Sequence, residues 1–173
     1  MKHLVIGGVR SGKSAHAQAL VQTLADELDT QVVYLATAQA LDKGMQERII
    51  KHKNNRPSQW LLVEESLDIA KVLLTPEYQD KVILIECMTL WLTNLICLED
   101  DSLFTQHKSA FMAAIEKTDA KLVFVTSEVG AGIMPMNAMA RRFGDEAGLL
   151  NQELARLSEQ VDLVCAGLPL KLK

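Results

Sequence analysis

Short apolar stretches alternate with amphipathic ones along the whole chain. Leu4–Ile6 reads as a strand and runs straight into Gly7–Ser14, which opens a helix to about Leu28. Gln31–Ala36 is rich in β-branched and aromatic residues and predicts the next strand. Met45 and Ile49, four apart, place a helix near Met45–Asn54. Trp60–Val63 fits a short strand, and Leu67–Leu74 a helix closed by Thr75-Pro76, because proline disfavours a helical residue before it. Lys81–Glu86 and Lys121–Thr126 are strands apolar almost throughout. Leu90–Leu98 and Gln106–Thr118 lie between them as helices. Asn137–Gln160 carries helical spacing, with Gly144 and Gly148 as candidate breaks. Val161–Ala166 and Leu170–Leu172 complete the strands. Strands without a polar face, separated by helices, indicate an α/β fold: a mostly parallel sheet with helices on both faces. Ligands of such sheets sit beyond the carboxyl ends of the strands.

The 173 residues suit one domain spanning 1–173, and no repeat or Pro/Gly/Ser-rich linker divides them. Hydrophobic residues make up 49% and charged residues 23%, an ordinary globular balance. A net charge of −4 argues against nucleic acid as a partner. The apolar runs, such as Val82–Ile85 and Leu122–Val125, fall far short of the roughly 20 residues of a membrane span. Leu4–Ile6 is too short for a signal peptide and ends in glycines. Cys87, Cys97 and Cys165 show no CxxC spacing and read as reduced thiols of a cytoplasmic protein, with Cys87 and Cys165 expected to be buried.

The chemistry starts at Gly7-Gly8-Val9-Arg10-Ser11-Gly12-Lys13-Ser14, which fits the phosphate-loop pattern G-x4-G-K-[ST] between a strand and a helix. Glycines let the backbone curl around phosphate oxygens, and the helix presents its positive end to them. Lys13 is placed to bridge the outer phosphates, Ser14 to ligate Mg²⁺, and Arg10 to add charge. Such sites need an acid at the end of a neighbouring buried strand. Glu86 is the candidate, as a second Mg²⁺ ligand; the alternative is a strand-end residue facing solvent. Glu64 and Glu65 follow Trp60–Val63 and suit either ribose hydroxyls or plain solvation.

Of four histidines, His3 opens the first strand, as a structural or an exposed residue, and His107 reads as solvated. His16 follows the phosphate loop closely enough to be of interest. His52 lies in Lys51-His52-Lys53-Asn54-Asn55-Arg56. Neighbouring cations bias an imidazole toward its neutral, nucleophilic form. The same pattern equally describes a solvated helix end, the commoner case for a lone histidine.

Taken together, the motifs resemble one family, the bifunctional adenosylcobinamide kinase / adenosylcobinamide-phosphate guanylyltransferases. The phosphate loop matches its GG-x-RSGKS, and Glu47-Arg48-Ile49…His52…Arg56-Pro57…Trp60 its E-R-I…H…R-P…W stretch. Glu86-Cys87-Met88-Thr89-Leu90-Trp91-Leu92-Thr93-Asn94-Leu95, Ser127–Ile133, Ala140–Phe143, Asp145…Gly148…Asn151-Gln152 and Ala166-Gly167-Leu168-Pro169 match further blocks over essentially the whole chain.

The resemblance implies a RecA-like P-loop NTPase fold and a homotrimer. It implies an enzyme that phosphorylates adenosylcobinamide with ATP or GTP, then transfers GMP from GTP through a guanylylated histidine, here His52. Gly7 to Ser14, Ala36, Thr37, Ala38, Lys53, Asn54, Asn55, Arg56, Glu64 and Glu86 match nucleotide contacts. Two positions depart from the pattern: Met136 stands where Glu is expected and Gly144 where Arg is. Both bear on corrinoid or subunit contacts rather than on nucleotide chemistry. The competing expectations are a P-loop small-molecule kinase without guanylyltransferase activity, and a GTP-binding switch. The second is weakened by the lack of an N-K-x-D tetrapeptide.

Overall fold

A computed structural model describes residues 1–39, 44, 46 and 56–173. The strands are β1 (Lys2–Gly7), β2 (Val32–Ala36), β3 (Leu61–Glu64), β4 (Val82–Glu86), β5 (Lys121–Ser127), β6 (Gln160–Cys165) and β7 (Leu168–Lys171). The described helices are α1 (Lys13–Glu27), α2 (Ile69–Leu73), α3 (Met88–Ile96), α4 (Asp101–Lys117) and α5 (Ala138–Leu157). One sheet gathers the strands in the order β3-β2-β4-β5-β1-β6-β7. All pairings are parallel except β6–β7, an antiparallel hairpin at one edge.

Alternate strand residues feed two cores, as the period of two demands. Val33, Leu35, Ile83, Ile85, Leu122 and Phe124 face α2 to α5, where Trp91 and Phe111 are fully buried. Val5, Tyr34, Leu84, Val123 and Val125 face α1 and Trp60. Helices therefore cover both faces, as the apolar strands predict. Helix α1 leaves β1 and crosses β5 and β4. That crossing carries the residues of its first turn toward the tip of β4.

Several boundaries differ from expectation for local reasons. Helix α4 starts at Asp101, five residues before the expected Gln106, because the Asp100 carboxylate accepts from the Ser102 and Leu103 amides at 2.9 and 3.1 Å. His107 therefore lies inside α4 and is half-buried, not solvated ahead of a helix. Helix α2 is shorter than Leu67–Leu74 because the Glu65 carboxylate binds the Leu67 and Asp68 amides as a turn. Helix α3 begins at Met88 rather than Leu90. Helix α5 runs unbroken through Gly144 and Gly148, since burial of Ala147, Leu150 and Leu154 outweighs about 1 kcal/mol per glycine. Cys165 is exposed, not buried, because it ends a strand whose outer neighbour is a short exposed edge. Cys87 is half-buried and Cys97 exposed. The helix expected near Met45–Asn54 lies almost wholly outside the described residues.

Candidate active site

The β1–α1 connection is a tight loop. Gly7 ends β1, and a Cβ there would come within 2.5 Å of Ser11 Oγ and 2.6 Å of the Val164 carbonyl, so only glycine fits. Val9 and Arg10 form the exposed crest, Arg10 with φ 56°, while Ser11 is buried. The Ser11 amide closes the turn onto the Gly8 carbonyl at 3.2 Å. Gly12, at φ 95°, precedes the first helical residue, Lys13, whose ammonium reaches back to the Gly8 carbonyl at 3.0 Å. Helix α1 has no side-chain cap. The Lys13 amide meets Ser11 Oγ at 3.4 Å, a long contact, and the amides that follow it in the first turn remain available to an anion.

Glu86 ends β4, buried, and its carboxylate accepts the hydroxyl hydrogen of Ser14. The sheet register sets Ala36 at the end of β2 between Glu86 on β4 and Glu64 on β3. Three sequence-predicted positions thus share one row at the carboxyl edge. Glu64 is exposed there, whereas Glu65 is spent on its own turn. Thr37, fully buried, is anchored through its hydroxyl to the Cys87 carbonyl at 2.8 Å and through its amide to the Glu86 carbonyl at 3.1 Å. Ala38 follows, half-buried.

Arg56 lies over the Tyr34 ring, 5.2 Å from guanidinium carbon to centroid, and Tyr34 stacks on Trp60. Trp60 Nε1 in turn donates to Gln22 on α1 at 2.8 Å, which joins the Trp60 ring to the phosphate-loop helix. Burial, reinforced by the Glu86 charge, pushes the Tyr34 hydroxyl above its ordinary pKa and keeps it protonated. Burial also pushes the Cys87 thiol up, which makes it a poor nucleophile despite its place beside Glu86. His52, Lys53, Asn54 and Asn55 lie outside the described residues.

His16 is engaged elsewhere. Its Nε2 and that of His3 both meet Oδ2 of Asp162 on β6, at 2.7 and 2.9 Å. His3 is structural, and buried rather than exposed.

Two residues of the Glu86–Leu95 block have a positioning role that the motif alone does not give. Asn94, buried on α3, donates to the Thr37 carbonyl at 2.8 Å and the Ser66 carbonyl at 3.0 Å. Thr89 accepts the Ser127 amide at 2.8 Å, tying α3 to the end of β5. The periodicity of α3 marks an apolar helix, and only the topology brings the carbonyls that Asn94 holds within reach.

The family described as cobinamide kinase / cobinamide phosphate guanyltransferase matches residues 3–172. The chain belongs to this family. It is 38% identical over 173 residues to the bifunctional adenosylcobalamin biosynthesis protein CobP of Pseudomonas aeruginosa, covering 100% of this chain and 98% of that one. It is 39% and 37% identical over 186 residues to the bifunctional adenosylcobalamin biosynthesis proteins CobU of Salmonella typhimurium and Escherichia coli, each covered in full. Among solved structures, a KaiC-like protein of Pyrococcus horikoshii OT3 superposes with a TM-score of 0.53 at 12% identity, over 94% of this chain and 69% of that one. This likeness and the sheet order show the RecA-like α/β P-loop fold.

Proposed function

We propose that this enzyme phosphorylates the aminopropanol hydroxyl of adenosylcobinamide with ATP or GTP. It then transfers GMP from GTP onto the new phosphate, releasing pyrophosphate. The observation that carries this is the uncapped start of α1, with Lys13 and Ser14, set against Glu86 in a chain matched end to end by the family.

In the kinase step the alcohol oxygen forms a bond to the γ-phosphorus as the bond to the nucleoside diphosphate breaks and the hydroxyl proton is lost. Gly7 to Ser14 hold the triphosphate, and catalysis rests on positioning and charge. In the second step a ring nitrogen of neutral His52 bonds to the α-phosphorus of GTP as pyrophosphate leaves. A phosphate oxygen of adenosylcobinamide phosphate then displaces the histidine, breaking the P–N bond. Two in-line displacements replace one difficult one. Arg56, held over the Tyr34 ring, supplies positive charge for the nucleotide. Lys53, Asn54 and Asn55 supply further contacts, and Ala36, Thr37, Ala38 and Glu64 line the nucleotide at the sheet edge.

Ser14 and Glu86 offer a hydroxyl and a carboxylate, hard oxygen donors suited to Mg²⁺, an ion usually held by one or two protein groups plus phosphates. When bound, the ion supplies positive charge against the triphosphate oxygens. The exposed Cys97 and Cys165 thiols favour a reducing, cytoplasmic setting. The family resemblance favours a homotrimer. Among the described residues no helix is long and apolar enough to cross a membrane.

Incubation with α-labelled GTP and Mg²⁺ tests the mechanism. An acid-labile, alkali-stable label should appear on the protein and vanish in His52→Ala and His52→Asn. A label that persists in both variants moves the nucleophile elsewhere. Kinase turnover without any adduct leaves a P-loop kinase acting at the γ-phosphate alone.

A further inference from the structure

Gly167 lies at the tip of the β6–β7 hairpin, at the far end of the chain from the phosphate loop. Its backbone N–H donates to the Ser11 carbonyl at 2.7 Å. The two segments touch closely, since a Cβ on Gly12 would come within 3.0 Å of Gly167 Cα. The hairpin is built for this approach. Cys165 pairs with Leu168, leaving Ala166 and Gly167 as a two-residue loop at φ 51° and 82°. Positive φ at both central positions is the mark of a type I′ turn, whose twist suits a hairpin.

A trans peptide points its C=O and N–H in opposite directions. With the Ser11 carbonyl held by Gly167, the Gly12 N–H turns to the other side of the loop. If this peptide flipped, it would present a carbonyl oxygen where an anion needs a donor. We propose that Gly167 is a positioning residue for nucleotide binding: its amide locks the Ser11–Gly12 peptide so that the Gly12 N–H faces the phosphates. This rests on the proposed grip of the triphosphate by Gly7 to Ser14. The tip of the hairpin thereby belongs to the phosphate site, against the residue that precedes α1.

Three variants of the full chain test it, by calorimetric binding of a non-hydrolysable GTP analogue with Mg²⁺. Lys13→Ala reports on the grip itself. Gly167→Val resists the left-handed conformation and swings the amide away, whereas Gly167→Asn tolerates that conformation and keeps the N–H. Gly167→Val should weaken binding about tenfold, the loss expected for one hydrogen bond to a charged ligand, and Gly167→Asn should restore most of it. Ligand-free melting temperatures should stay close together, because β7 is an exposed edge strand outside both cores. Unchanged affinity in Gly167→Val beside a loss in Lys13→Ala overturns the role of Gly167 and leaves the grip standing. Equal weakening by Val and Asn also overturns it, because the left-handed amide would then not be what matters. Unchanged affinity in Lys13→Ala overturns the grip, and the role of Gly167 with it.

Discussion

Ser14, in the first turn of α1, donates its hydroxyl hydrogen to the carboxylate of Glu86 at the end of β4, 72 residues further on. Strand β5 lies between β1 and β4 in the sheet, so no local chain path joins the two. The crossing of α1 over β5 and β4 makes the contact. A hydroxyl from the phosphate loop and a buried strand-end carboxylate thus meet beside the Tyr34 ring, over which Arg56 lies.

Glu86→Gln tests what the carboxylate does there. The amide keeps the size of the side chain and an acceptor for Ser14, and removes the negative charge. Nucleotide turnover should fall by at least about tenfold, with more Mg²⁺ needed for half-maximal rate. The fold should survive, because no ion is left buried without its partner. Steady-state rates across a Mg²⁺ titration, beside a thermal melt, check both. An unaltered Mg²⁺ requirement would remove Glu86 from the metal site.

Asn94→Ala should cost about 2–3 kcal/mol of stability, because it leaves the Thr37 and Ser66 carbonyls without the amide that joins them. Thr37 sits at the tip of β2 beside Glu86, so nucleotide affinity should fall as well. Urea unfolding and nucleotide titration on the same preparation separate the two effects. A loss of stability with full affinity would make Asn94 a purely structural clamp.

What the sequence could reveal divides along physical lines. The phosphate loop was legible because its chemistry is local: glycines, a lysine and a serine at fixed spacing between a strand and a helix. Apolar runs such as Val82–Glu86 announced buried parallel strands, and the carboxylate at the tip of that run was found by the same pattern. Asn94 and Gly167 were not legible as positioning residues, because each acts on a backbone group that only the fold brings close. The pattern predicts a buried Cys165 where the structure exposes it, because an apolar stretch does not say whether its strand lies inside a sheet or next to the edge. Helical periodicity does not mark the start of α4, because the Asp100 cap lies ahead of the residues that carry it.

Gly144→Ala should stabilise the enzyme. A Cβ there meets nothing within 4 Å, and the residue lies well inside α5. Alanine in a helix interior gains about 0.5–1 kcal/mol over glycine. The melting temperature should rise by a few degrees with turnover unchanged. Met136→Glu, at a side chain 97% exposed, should shift stability by no more than about 0.5 kcal/mol. Any larger change at Met136 would show that this side chain is covered in the assembled enzyme.

Stability should depend on pH through His3. Its ring is 3% exposed, and Nε2 donates to Asp162 while Nδ1 finds no hydrogen-bond partner among the described residues. A second proton would sit on a buried, unpartnered nitrogen. Burial therefore holds the His3 pKa below its ordinary value, although the Asp162 carboxylate pulls the other way. The unfolded chain takes up this proton near the ordinary value of about 6.5, and the folded chain only at lower pH. Between those points the unfolded state binds more protons, so His3 contributes its stability in full above about 6.5 and loses it as pH falls. Thermal melts from neutral to mildly acidic pH should show a falling transition temperature, with a shallower slope in His3→Gln. Equal slopes in the two proteins would place the acid sensitivity elsewhere.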